Sequence, residues 1–133
     1  MMYIYLNGRA NIDDAETVRA YEVAEAAMRL YHPRAYIFNP CEYLRRFSEE
    51  ERTNKKQKLW KILRCGFFTH MVLLEDWWLW PSSRLSLAEL ADGWPWHRPK
   101  PEIILVTEEI EHDGREYLSR LAKAEHQSQR NNQ

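Results

Sequence analysis

The chain has 133 residues and a formal net charge of −1, from 19 basic and 20 acidic side chains. That length makes one core and not two, and the even charge balance excludes a general electrostatic attraction to nucleic acid or to an anionic membrane. Two cysteines make no disulfide framework and five scattered histidines offer no ligand spacing, so no metal site is expected.

Taken in order, Met2 to Leu6 (MYIYL) is rich in β-formers and ends at Asn7-Gly8, a turn signal. Asp13 with Glu16 three residues on has the form of a capping box. From there Ala15, Val18, Tyr21, Ala24, Met28 and Tyr31 recur at three- and four-residue steps, predicting a helix with a buried stripe that His32-Pro33 ends. Ala35 to Phe38 is a short second strand closed by Asn39-Pro40. Leu44 to Arg64 carries a run of charges that reads as a solvated helix face, with Leu59, Trp60, Ile62 and Leu63 giving its second half an apolar side.

Met71 to Leu74 is an apolar run of the kind a strand buried on both faces needs. Glu75, Asp76, Trp77, Trp78 and Trp80 follow it, then Pro81 and the helix-capping pair Ser82-Ser83. Arg84 to Asp92 is helical in composition, with Leu87, Leu90 and Ala91 at one-face spacing and Gly93 as its stop. Three prolines between Trp94 and Pro101 exclude helix or inner strand there. Ile103 to Val106 is a fourth strand, and Asp113 to Glu125 a closing helix with Tyr117, Leu118, Leu121 and Ala122 inward. Residues 1–126 form the expected domain; 127–133 have nothing to bury and are expected to be disordered.

Strands alternating with helices predict a parallel α/β fold, a small flavodoxin-like or Rossmann-like three-layer sandwich with sheet order 2-1-3-4. The crevice then lies at the carboxyl ends of strands one and three. Neither GxGxxG nor GxxxxGK[ST] occurs, so no dinucleotide or other cofactor is expected. No signal-like leader and no apolar run of membrane length is seen, which points to a cytoplasmic protein without membrane contact. Six tryptophans, most of them between Trp77 and Trp96, suggest a base-stacking pocket or the interface of a homo-oligomer.

Tyr3-Ile-Tyr-Leu-Asn-Gly8, Phe38-Asn-Pro40, Val72-Leu-Leu74 with a tryptophan after it, and Ser83-x5-Glu89-x-Ala91-x-Gly93 follow one another in an order that resembles the nucleoside 2-deoxyribosyltransferase-like superfamily, above all its small phage and bacterial domains of unassigned function. The resemblance implies a nucleoside or nucleotide ligand and N-glycosidic chemistry, as an N-glycosidase or deoxyribosyltransferase. Glu89 matches the glutamate that attacks the anomeric carbon, in the manner of a retaining glycosidase. Tyr5 matches a tyrosine near the base or the nucleophile, Gly8 a turn that lets a ligand approach the backbone, and Ser83 a residue near sugar or phosphate. Arg9 is placed to meet a phosphate, and Asn39 and Asp76 are further candidate ligand contacts. On their residues alone Glu89 is a helix-surface carboxylate, Ser83 a helix cap and Asn39 a strand terminator.

Two departures favour an alternative, a catalytically inactive nucleotide-binding or protein-interaction domain on the same scaffold. Leu85 stands where relatives have a small residue, often Gly. The helix stretch Lys58 to Arg64 holds no acid where active relatives carry an aspartate; Glu75 or Asp76, after the third strand, is placed to substitute. His70 stands where many relatives have an acid, and reads as a structural hydrogen-bonding residue.

Overall fold

The structure, a computed structural model, describes residues 1–8, 10–63, 65–74 and 99–131. Among them the chain forms β1 (Tyr3–Asn7), α1 (Ala15–Tyr31), β2 (Tyr36–Phe38), α2 (Pro40–Arg45), α3 (Glu49–Leu63), β3 (His70–Leu73), β4 (Glu102–Leu105) and α4 (Glu108–Asn131). Every strand pair is parallel and the sheet order is β2-β1-β3-β4. This is the α/β sandwich of flavodoxin-like or Rossmann-like type that the alternation of elements predicts.

Side-chain alternation along β1 divides the core in two. Ile4 and Leu6, with Val72 of β3, pack on the α1 stripe of Val18, Tyr21, Ala24, Ala27 and Met28. Tyr5 turns the other way, into a cluster with Leu63 of α3, Phe68, Met71 and Leu73. Each of these large apolar side chains contributes about 1.5–3 kcal/mol by leaving water, so the sheet is held from both faces.

The last helix, α4, packs beside α1, and its Ile110 meets the same core cluster. Gly114 is the buried residue of α4 and lies against Val23, so closely that a Cβ on residue 114 would stand 2.9 Å from the Val23 Cγ1 and nearer still to its carbonyl oxygen. The Tyr31 hydroxyl at the end of α1 donates to the Asp113 carboxylate and ties the two helices together. That donated hydrogen bond, with burial and the charges of Asp113 and Glu109, pushes the Tyr31 phenol up to about 12.

Four details differ from the sequence expectation. The α1 cap is Asp14, whose carboxylate accepts from the Glu16 N–H at 3.3 Å and the Thr17 hydroxyl at 2.7 Å. Asp13 lies one residue too early to reach those donors. The buried stripe of α1 omits its two ends, since Ala15 and Tyr31 are exposed. Phe47-Ser48 splits the long charged stretch into α2 and α3, and Gly66, at φ 81°, takes the left-handed conformation in the turn that leads from α3 to β3. Finally, α4 starts five residues earlier than expected and runs to Asn131, so 127–131 are exposed helix and not disordered chain. Leu121 and Ala122 are exposed along with them. Once a helix is nucleated, each further residue adds a hydrogen bond without needing a core partner. Among the described residues no helix is long and apolar enough to cross a membrane.

Candidate functional site

Open parallel sheets hold ligands outside the carboxyl ends of their strands, where successive connections leave in opposite directions. In the order β2-β1-β3-β4 that point lies between β1 and β3. The register pairs Leu6 with Val72 and Asn7 with Leu73, and the Leu74 N–H donates to the Asn7 carbonyl at 3.1 Å. The two strands therefore end side by side, at Asn7-Gly8 and Leu73-Leu74.

Tyr5 lies two residues before Asn7 on the same face of β1. Its ring is buried at 4 % exposure, stacked on Phe38 at 5.3 Å and edge-on to Phe68 at 5.2 Å. Burial pushes its phenol well above the usual tyrosine range, so Tyr5 stays neutral at physiological pH. It can wall a site or donate a proton in a hydrogen bond, but it cannot serve as a base there.

Gly8 stands where the end of β1 packs closely on its neighbours. A Cβ at this position would meet Leu74 Cδ1 at 3.2 Å, Leu74 Cβ at 3.3 Å and the Tyr21 hydroxyl at 3.3 Å. The space that glycine vacates is filled by Leu74 and Tyr21, so Gly8 lets β3 and α1 close on the end of β1. Its φ is not in the left-handed range.

Asn39 is buried and caps α2, its Oδ1 accepting from the Cys41 N–H at 3.0 Å and the Glu42 N–H at 3.4 Å. Pro40 at the first helical position completes the cap. Asn39 also borders an open cavity of about 310 Å³ with Glu25, Arg29 and Arg46, on the β2 side. The structure thus puts Gly8 at the β1–β3 edge, packs Tyr5 in the core on Phe38, and leaves Asn39 one strand over, at the carboxyl end of β2. Arg9, Asp76, Ser83, Leu85 and Glu89, like Trp77 to Trp96, lie outside the described residues.

One residue at this edge was not singled out by its type. Asn7 reads in sequence as half of a turn, but the pairing with Leu73 makes it the last residue of β1. Alternation puts its side chain on the face of Tyr5. It is buried at 8 % exposure, and its Nδ2 has no hydrogen-bond partner among the described residues. The available signal was its place directly before Gly8 at a predicted strand end.

Several other polar groups among the described residues are already engaged. His70 meets the Thr69 hydroxyl at 2.7 Å through Nδ1 and Glu102 at 3.3 Å through Nε2, which is the structural role expected of it. A cavity of about 640 Å³ between α1 and α4 has Leu74 and Val106 in its lining, but its Arg19 and Arg115 pair with Glu22 at 3.3 Å and Glu111 at 2.6 Å. His112, Asp113 and Glu116 bring ligand-type atoms within 4.8 Å of one another on α4. Asp113 is held by Tyr31, and Glu116 is shared by His112 and Arg120, each at 3.4 Å. Compared with protein-family models, with curated proteins and with solved structures, the chain finds no match in any of the three.

Proposed function

We propose that the crevice at the carboxyl ends of β1 and β3 binds a nucleoside or nucleotide, and that Glu89 acts there as the nucleophile of an N-glycosidase or deoxyribosyltransferase. The observation that carries the reading is the all-parallel order β2-β1-β3-β4, with Asn7-Gly8 and Leu73-Leu74 side by side at the switch point. The motif order Tyr5–Gly8, then Val72–Leu74, then Ser83 to Glu89 supplies the chemistry proposed for that place.

In the proposed reaction a Glu89 carboxylate oxygen bonds to the anomeric carbon while the bond to the base breaks, and the base leaves on taking a proton from solvent water. Water, or a second base, then displaces the glutamate and restores it. The carboxylate stabilises an oxocarbenium-like transition state, which an amide cannot do. Base release from deoxynucleosides, ribonucleosides and their 5′-monophosphates, followed chromatographically, should therefore be seen with the native chain and be abolished in Glu89→Gln. Equal release by the two proteins would overturn the role of Glu89.

A second reading, binding without turnover, is favoured by α3. Its acids, Glu49 to Glu51, sit in the first turn, and the half of the helix that reaches the core, Lys58 to Leu63, has none. Under this reading the ligand binds and no base is released. Leu85→Gly, which restores the small residue seen in relatives, would then raise affinity.

A further inference from the structure

We infer that Asn7 is the residue of this edge that reads the nucleobase, donating through Nδ2 to a neutral acceptor on the base, a carbonyl oxygen or a ring nitrogen. The inference deepens the nucleoside reading above and rests on it.

The Asn7 main chain is already used, since its carbonyl accepts from Leu74. Its side chain is different: nine-tenths buried, with an Nδ2 that meets no acceptor among the described residues. Buried amides are almost always satisfied, because an unmet donor in the interior keeps the whole cost of losing water. The strand position could hold an apolar residue without that cost. Asn39, the other buried asparagine, shows the contrast, because its amide oxygen has two backbone partners in the fold itself.

The surroundings select the kind of acceptor. On its face of the sheet Asn7 has Tyr5 two residues before it and Leu73 beside it in register, with Met71 beside Tyr5. All are uncharged, Tyr5 included. Among the described residues this wall offers a phosphate no opposite charge in exchange for its lost water. The edge of a base would instead offer the amide an uncharged lone pair. Asparagine is suited to this, since its amide matches the hydrogen-bonding edges of bases.

Two measurements on native protein and Asn7→Leu test the assignment. Calorimetric titration with adenosine, guanosine, cytidine, uridine and thymidine should show the native chain preferring one or two of them. Asn7→Leu should lose at least about tenfold in affinity for the preferred nucleoside, the worth of one buried hydrogen bond, and bind all five alike. Urea denaturation should show its midpoint raised, because the variant no longer buries an unmet donor. Binding with an unchanged base preference in Asn7→Leu would overturn the role of Asn7 and leave the nucleoside reading in place. Equal loss of ribose 5-phosphate binding in the variant would assign the donor to the sugar–phosphate and also overturn it. A lowered midpoint would mean that the amide has a partner within the fold, which ends the inference whatever binds. No binding of any nucleoside by the native chain would overturn the nucleoside reading, and this inference with it.

Discussion

Replacing Gly114 by alanine adds one methyl group to α4 where that helix crosses α1. On an exposed helix the change would stabilise the protein by about 1 kcal/mol, since glycine is the poorer helix former. At this crossing the new carbon would stand 2.9 Å from Val23 Cγ1 and 3.0 Å from the Val23 carbonyl carbon. The Val23 carbonyl oxygen is nearer still, and a carbon rests about 3.3–3.6 Å from such an oxygen, so α4 must move off α1 by roughly 1 Å or more. A gap of that size forfeits about half or more of the dispersion attraction across the contact. Rotation of a side chain cannot relieve it, because the nearest obstacle is the Val23 backbone. Overpacking of this kind costs about 1–3 kcal/mol, and the rigid obstacle favours the upper end. After the gain in helix propensity, a net loss of about 2 kcal/mol is expected. With a urea slope of about 2 kcal/mol/M, the midpoint followed by far-ultraviolet circular dichroism should fall by about 1 M. Adding Val23→Ala removes the Cγ1 contact but not the carbonyl, so it should not restore the midpoint. An unchanged or raised midpoint in Gly114→Ala would refute the close crossing of α1 and α4.

Three further outcomes follow from particular groups. The Tyr31 phenol is raised from its ordinary value of 10.0 to about 12, first by its hydrogen bond to Asp113. The folded chain therefore holds that proton where the unfolded chain has lost it, and stability should fall as pH rises from 10 to 12; denaturation of Tyr31→Phe across this range should show a shallower fall, and parallel curves would remove the bond from the account. Asn39→Ala should cost about 1–2 kcal/mol in urea denaturation, because the buried cap serves two amide groups of a short helix. Cys41 is buried and its thiol is pushed up to about 11, chiefly by desolvation, whereas Cys65 is exposed. A thiol reagent at pH 8 should accordingly label one cysteine quickly in the native state and both after unfolding.

The sheet was legible because its strands are short, apolar and separated by helical stretches, so alternation and crossover length leave few topologies. Apart from the carboxyl end of β2 at Phe38, the strand ends each moved by a residue, and for β1 that shift matters. A one-residue extension turns Asn7 from a turn residue into a paired residue with a definite face, which pairing with Leu73 decides and residue type cannot. The cap of α1 was uncertain for a similar reason, since Asp13 and Asp14 are both good caps and only the backbone entry angle chooses between them. The end of α4 was hidden because exposed polar helix and disordered chain have nearly the same composition. Tyr5 was read as a ligand neighbour from its motif, and the structure packs its ring on Phe38 and Phe68. Gly8 was read for ligand access, and its missing Cβ also accommodates Leu74 and Tyr21. Packing of that sort depends on residues far apart in the chain.

The central claim, that the carboxyl ends of β1 and β3 form a nucleoside site, is tested most directly by mapping bound ligand onto assigned amide resonances. The native chain, labelled with ¹⁵N, would be titrated with the five nucleosides and their 5′-monophosphates. The account predicts saturable shifts at the backbone amides of Gly8, Leu73 and Leu74 and at the Asn7 side-chain amide, with the exposed end of α4 from Ser119 to Asn131 unmoved. Shifts confined to α4 or to the β2 side around Asn39, or no saturable shift with any of these ligands, would contradict it.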